Sequence, residues 1–143
     1  LGDVYKRQRY SLPYMKTGGL ILNISSIASF APTPRMAVYC STKAYVQRFS
    51  RALREELKPK KINVLAVCPG PMITEFWQVA DRPTHKSRTL DMLPHQSPAK
   101  MATCALKAGL KGKSACTMGG FYKFYRFLAH ILPKSLLMKW TKC

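Results

Sequence analysis

Two short apolar segments, separated by one long amphipathic segment, constrain the fold of this chain most strongly. The first is Leu20–Ile24 and the second covers residues 62–67. Short continuous apolar runs are typical of strands that are buried on both faces of a parallel sheet. Between them, the sequence predicts a helix that begins near Arg35 or Met36, runs to Leu57 and is stopped by Pro59. Strand, helix and strand in this order predict a right-handed crossover unit and an α/β fold with a doubly wound, mainly parallel sheet.

The apolar positions of this long helix recur at helical spacing, and charged residues occupy much of its other side. These apolar positions are Val38, Tyr45, Val46, Phe49, Leu53 and Leu57. Residues 9–17 predict the end of an earlier helix, closed by Gly18 and Gly19. After the second strand, residues 97–112 predict a helix with Ser97 as its N-cap, and residues 114–118 predict a short last strand.

Tyr39 and Lys43 are the residues that point to chemistry. They lie four positions apart in the predicted helix, so the phenol and the ammonium can face the same space. A free tyrosine has a pKa near ~10, and a nearby ammonium favours the phenolate. Ser26, which follows the first strand, can hydrogen-bond a carbonyl or alkoxide oxygen beside the phenol. The trio suits proton transfer at such an oxygen. It does not suit acyl transfer, because no histidine or carboxylate lies nearby in the sequence to activate the serine.

The Tyr-x-x-x-Lys spacing alone is weak evidence, since a surface lysine beside a half-buried tyrosine gives the same pattern. Three further features strengthen the chemical interpretation. Ser26 lies thirteen residues before Tyr39, a strand precedes this serine, and the segment PGPMIT, residues 69–74, follows the second strand. Because ligands of open α/β sheets bind beyond the carboxyl ends of the strands, the topology places these segments at one site.

The segments NISS (residues 23–26), YCSTK (residues 39–43) and PGPMIT together resemble the short-chain dehydrogenase/reductase family, over about residues 10–76. The resemblance implies an oxidoreductase that interconverts a carbonyl and an alcohol. In that family the matching serine, Ser26, orients the substrate, and Tyr39 is the general acid/base. Lys43 binds the nicotinamide ribose and tunes the tyrosine. The residues that the resemblance places at the cofactor are Tyr39, Lys43, Pro69, Gly70, Met72 and Thr74.

The cofactor implied by the resemblance is NAD or NADP, and the basic charge of the chain slightly favours NADP. Residues 75–94 match the family's substrate lid. Phe76 and Trp77 then form an apolar wall over a lipophilic substrate, although Trp77 can equally pack in the core. His85 and His95 stand among polar loop residues and are expected to be solvated.

The charge balance is strongly basic, with 24 Lys and Arg against 6 Asp and Glu. Such an excess indicates anionic partners or a solvated basic face, and the composition leaves both open. No nucleic-acid-binding motif accompanies it, so we expect no specific nucleic-acid partner. The five cysteines are scattered, so we expect neither a metal site nor a disulfide framework, and a reducing, cytoplasmic setting.

The last segment, residues 121–140, predicts an amphipathic helix that Pro133 bends or divides. Its apolar stripe is Phe121, Phe124, Tyr125, Leu128, Ile131 and Leu132, and its basic stripe is Lys123, Arg126, His130 and Lys134. A basic amphipathic helix suits peripheral contact with an anionic membrane, at its inner face for a cytoplasmic protein. The alternative is a helix that covers the domain or a partner subunit in a homo-oligomer. The same helix supports a second function, that of a non-enzymatic protein binding anionic membranes.

We interpret the chain as three segments. Residues 1–8 match the translation of a sequencing adaptor, and we expect them not to be native. Residues 9–118 correspond to the C-terminal half of the family's Rossmann-like domain, and residues 119–143 form the basic amphipathic segment. The chain contains no G-x-G-x-x-G turn and no Asn-Asn-Ala-Gly segment, so we expect it to be inactive by itself.

Overall fold

Three parallel strands form the centre of the fold in the part of the chain that the structure describes. The computed structural model describes residues 2–72, 74 and 93–140. The strands are β1 (Leu20–Ile24), β2 (Asn63–Val67) and β3 (Ala115–Cys116). Strand β1 pairs with β2 along its whole length, and β2 pairs with β3 over two residues. The predicted parallel sheet and the short last strand are therefore both confirmed.

Five helices accompany the strands among the residues that the structure describes. They are α1 (Gly2–Ser11), α2 (Ala37–Leu57), α3 (Pro98–Leu110), α4 (Gly120–Ile131) and α5 (Lys134–Trp140), with short 3-10 helices at Leu12–Tyr14, Ile27–Ser29 and Lys58–Lys60. Helix α3 begins as predicted, because the Ser97 hydroxyl accepts a hydrogen bond from the Lys100 amide at 3.5 Å. Pro133 lies between α4 and α5 and divides the C-terminal segment.

Successive residues of β2 point to opposite faces of the sheet, and helices cover both faces. On one face, Val64 packs with residues of α2, and Ala66 packs in a cluster that includes residues of α4 and α5. On the other face, Leu65 and Val67 pack against α3. All four of these β2 side chains are buried. This two-sided burial explains why β2 is apolar without alternation, and it agrees with the predicted doubly wound architecture.

The buried side of α2 includes the predicted residues Val46, Leu53 and Leu57, but it differs from the predicted apolar face at other positions. Val38 is 79% exposed and Tyr45 is 37% exposed, whereas the polar residues Gln47 and Ser50 are buried. The Ser50 hydroxyl donates to the Val46 carbonyl at 2.6 Å and accepts from the Asn23 side chain at 2.9 Å. Because β1 carries a buried asparagine, the helix facing it buries a polar partner in place of an apolar one.

Among the described residues, no helix is both long enough and apolar enough to cross a bilayer.

Candidate active site

Two hydrogen bonds join the carboxyl end of β1 to the first turns of α2. The hydroxyl of Ser25, which is 2% exposed, donates to the Lys43 carbonyl at 2.8 Å. The Lys43 ammonium in turn donates to the Ile24 carbonyl at 3.2 Å. Ser25 therefore supports the strand end, while the lysine side chain lies directly beside it.

Tyr39 and Lys43 lie together on α2. The Lys43 Nζ atom is 5.7 Å from the centroid of the Tyr39 ring, and both residues are half-buried. Burial lowers the pKa of Lys43, because removal from water disfavours its charged form. The structure thus places a partly desolvated ammonium next to a phenol, at the carboxyl end of β1.

Ser26 begins the short helix Ile27–Ser29 immediately after this strand end. Its side chain is largely buried, and its hydroxyl oxygen accepts a hydrogen bond from the Ala28 amide at 3.2 Å. The Ser29 hydroxyl and amide both donate to the Ser26 carbonyl, at 2.6 and 3.1 Å. This tight turn fixes the serine backbone two residues beyond Ile24. The Ser26 hydroxyl accepts the hydrogen bond from Ala28 through one oxygen lone pair, so its own proton is available for donation to a ligand.

The loop after β2 lies beside the Ser26 turn. The Ile27 amide donates to the Pro69 carbonyl at 3.0 Å. Pro69, Gly70 and Pro71 are buried, whereas Met72 and Thr74 are half-buried. The turn that carries Ser26 and the predicted cofactor loop are therefore neighbours at the carboxyl ends of β1 and β2, as the topology predicted.

Gln96 holds this loop from the other side. Its side-chain oxygen accepts from the Gly70 amide at 3.0 Å, and its side-chain nitrogen donates to the Met118 carbonyl at 2.6 Å. The backbone amide of Gln96 donates to the Pro71 carbonyl at 2.8 Å. Three hydrogen bonds therefore join this one buried residue to two loops that are distant in the chain.

Tyr122, on α4, closes the same loop. Its ring packs against Gly70, and its hydroxyl donates to the Pro94 carbonyl at 2.7 Å. Burial raises the pKa of this phenol, which therefore stays protonated and able to donate. Sequence reasoning missed both Gln96 and Tyr122. Neither belongs to a short motif, and their contacts cross many intervening residues, so no local signal could have found them.

Some predicted features fall outside this set of contacts. Phe76 and Trp77 lie outside the described residues, and His95 is exposed. Within residues 2–72, 74 and 93–140, no group of His, Cys, Asp or Glu side chains could hold a metal ion.

Comparison with known proteins decides the family. The family model described as short chain dehydrogenase matches residues 4–84, which is more than half of the chain. The chain belongs to the short-chain dehydrogenase family. The match includes Ser26, Tyr39, Lys43 and the loop after β2.

Among curated relatives, the very-long-chain 3-oxoacyl-CoA reductase of Anas platyrhynchos is 41% identical over 88 residues. That alignment covers 57% of this chain and 28% of the relative. Two solved short-chain dehydrogenases are each 26% identical to this chain. The protein from Burkholderia cenocepacia, in complex with NADP, has a TM-score of 0.66, covering 87% of this chain and 49% of that one. The protein from Sphingobium yanoikuyae, in complex with NADPH, has a TM-score of 0.60, covering 85% and 45%.

The chain therefore spans about a quarter of the curated relative's length and about half of each solved structure's length.

Proposed function

We propose that the protein is an NAD(P)-dependent oxidoreductase that interconverts a carbonyl and an alcohol by hydride transfer. The observation that carries this proposal is the position of the Lys43 ammonium. It lies 5.7 Å from the Tyr39 ring and is also hydrogen-bonded to the end of β1. A phenol and an ammonium beside a strand end suit proton exchange with the oxygen of a bound substrate.

Each of the three residues has a separate role. In reduction, the Tyr39 hydroxyl gives its proton to the carbonyl oxygen, and in oxidation the phenolate takes that proton from the alcohol. Ser26 donates a hydrogen bond to the same oxygen and holds it beside the phenol. Lys43 supplies positive charge, which favours a phenolate over a phenol in its neighbourhood. The nicotinamide cofactor supplies or accepts the hydride at the carbon atom.

The residues present fit such a cofactor. An ammonium has three N–H donors, and the Ile24 carbonyl accepts from one of them, so the others can bind ribose hydroxyls. We infer that Pro69, Gly70, Met72 and Thr74 flank the nicotinamide, since the loop they form is tied to the Ser26 turn. Solved relatives bound to NADP and NADPH support NADP(H) as the form used.

We infer that the substrate is a lipophilic carbonyl compound or alcohol. The duck relative is a very-long-chain 3-oxoacyl-CoA reductase, which supports a long apolar substrate. We further propose that the 143-residue chain does not turn over by itself, because its sequence contains no G-x-G-x-x-G turn to seat the cofactor pyrophosphate.

The test is a Tyr39→Phe change in the whole protein, assayed with NADPH and a series of aliphatic ketones. Loss of the phenolic proton should lower kcat by about 10²- to 10⁴-fold. Tyr45→Phe is the matched control, because this tyrosine stacks on Phe49 elsewhere on α2 at 5.7 Å between ring centroids. Turnover that survives Tyr39→Phe would contradict the assignment of Tyr39 as the acid/base.

A further inference from the structure

Helix α4 turns an apolar face away from the protein. Phe121 is 54% exposed, Phe124 and Phe127 are each 59% exposed, and Ile131 is 62% exposed. These four residues are spaced by three or four positions, so they lie on one side of the helix. We call this set the aromatic face. The sequence placed three of its members in an apolar stripe, of which Tyr125 and Leu132 pack against the core while these three do not.

The opposite side of α4 fixes the helix to the protein. Tyr122 and Ala129, seven positions apart, are each 1% exposed. Arg126 lies 6.0 Å from the centroid of the Phe30 ring, and Lys134, the first residue of α5, donates from its ammonium to the Phe30 carbonyl at 3.1 Å. These contacts set the rotation of the helix about its axis, so the aromatic face is exposed while its helix is anchored.

The surroundings of the aromatic face are cationic. Lys123 is exposed on α4, four positions before Phe127, and Lys139 is exposed on α5. Nine Lys or Arg residues and no Asp or Glu follow Asp91 in the sequence. The charged side chains that α4 and α5 themselves present beside the aromatic centre are therefore all basic.

We propose that the aromatic face of α4 inserts into the interfacial layer of an anionic lipid bilayer. Phenylalanine rings are stabilised by burial among acyl chains, while neighbouring lysines are attracted to anionic headgroups. A second copy of this chain is a poorer partner. A two-fold interface would bring the same basic side chains from both copies together, with no acidic residue on either helix to neutralise them.

The dimensions of α4 suit a helix lying in the membrane plane. Its twelve residues give a length of roughly 18 Å, which is too short to cross a hydrocarbon core of about 30 Å. Anchoring by Tyr122 and Ala129 also keeps one side of the helix in the protein, so only the aromatic face can enter the lipid. This surface goes beyond the proposed catalytic function and does not depend on it.

The first experiment measures sedimentation of the full chain with lipid vesicles. One set contains phosphatidylcholine alone, and the other contains phosphatidylcholine mixed with phosphatidylglycerol. The double variant Phe124→Gln/Phe127→Gln should lower the partition coefficient on mixed vesicles by at least about tenfold. The matched control is Leu106→Gln/Leu110→Gln on α3, where the leucines are 50% and 80% exposed, and this control should bind as the unchanged chain does.

The second experiment tests the charge. Lys123→Gln/Lys139→Gln should weaken binding to the mixed vesicles by about fivefold per lysine at low salt. Lys100→Gln/Lys107→Gln on α3 removes the same charge from another exposed surface and should weaken binding much less. Equal binding to both vesicle types, or equal loss in both lysine variants, would overturn the proposal.

Sedimentation equilibrium without lipid separates the membrane from a second copy. Monomers before and after the phenylalanine changes, together with the loss of vesicle binding, support the proposal. A dimer that becomes a monomer on Phe124→Gln/Phe127→Gln, without any vesicle binding by the unchanged chain, overturns it. Circular dichroism of each variant checks that its helices are intact. Failure of the catalytic proposal in the Tyr39 experiment would not change the meaning of any of these membrane-binding results.

Discussion

The ring of Tyr122 lies so close to Gly70 that a Cβ atom at position 70 would be 2.6 Å from its Cε2 and Cζ atoms. The two residues are far apart in the chain, on α4 and in the loop after β2. Their contact links the C-terminal segment to the proposed cofactor loop. Glycine is needed at position 70 because the backbone approaches a buried aromatic ring, and a larger residue there would press on that ring.

A Gly70→Ala change should lower the free energy of unfolding by about 1–3 kcal/mol, because the added methyl group overpacks the contact with Tyr122. Urea unfolding of the whole protein measures this loss. Gly120→Ala is the control, since a Cβ atom there meets nothing within 4 Å. Adding Tyr122→Leu to Gly70→Ala should cost less than the sum of the two single changes. Additive costs would mean that the two residues do not press on each other.

A Gln96→Leu change should lower the free energy of unfolding by about 2–4 kcal/mol, because the Gly70 amide and the Met118 carbonyl both lose a buried partner. Gln96→Glu keeps an acceptor for the Gly70 amide, but its carboxylate has no proton for Met118. Its stability should therefore rise as the pH falls and the carboxyl group becomes protonated. A Glu variant that is insensitive to pH would contradict the assignment of Gln96 as acceptor for Gly70 and donor to Met118.

The pKa of Lys43 lies below its ordinary value of 10.5, because burial disfavours the ammonium. In alkaline solution below pH 10.5 the unfolded chain therefore binds more protons at this position than the folded chain does. The contribution of Lys43 to stability consequently rises with pH between its folded pKa and 10.5.

A Lys43→Met variant should show a flatter rise in unfolding free energy over that alkaline range than the unchanged protein. Lys107→Met, which removes an exposed lysine of α3, should leave the slope as it was. The measurement is urea unfolding at a series of alkaline pH values. Equal slopes in both variants and the unchanged protein would show that Lys43 is fully hydrated.

Cys104 and Cys116 are thiols whose Sγ atoms lie 3.2 Å apart. A disulfide needs a separation near ~2.05 Å, so a small approach is sufficient. Burial and the neighbouring Cys104 raise the pKa of Cys116 to about 12, so its thiolate is scarce at neutral pH. We expect the half-buried Cys104 to attack oxidised glutathione first, and Cys116 then to displace the glutathione as the protein disulfide forms.

Peptide mapping after treatment with oxidised glutathione should find the bond between residues 104 and 116, with two glutathione thiols released for each bond. Its rate of formation should increase with pH. Cys104→Ala should prevent the bond, whereas Cys40→Ala, which removes a buried thiol of α2, should not. A mixed glutathione adduct that persists at Cys104 would contradict the expected second step.

Local sequence predicted the elements of this fold well. Continuous apolar runs located β1 and β2 within one residue. Only β2 is buried on both faces, as such a run predicts, whereas β1 is mostly half-buried and its buried residue is Asn23. Ser97 and Pro98 located the start of α3, and Pro133 located the break between α4 and α5, because capping and the missing proline amide act within a single turn. The spacing of Tyr39 and Lys43 likewise placed both side chains on one helix face.

Only the tertiary structure decided which side of an amphipathic helix is buried and which distant residues meet. Helix α4 has apolar residues around most of its circumference, and packing buries Tyr122 and Ala129 while the phenylalanines stay outside. Gln96 bonds two loops that the chain brings together from 26 and 22 residues away. Such choices depend on the summed energy of contacts between remote segments, and no short stretch of sequence carries that information.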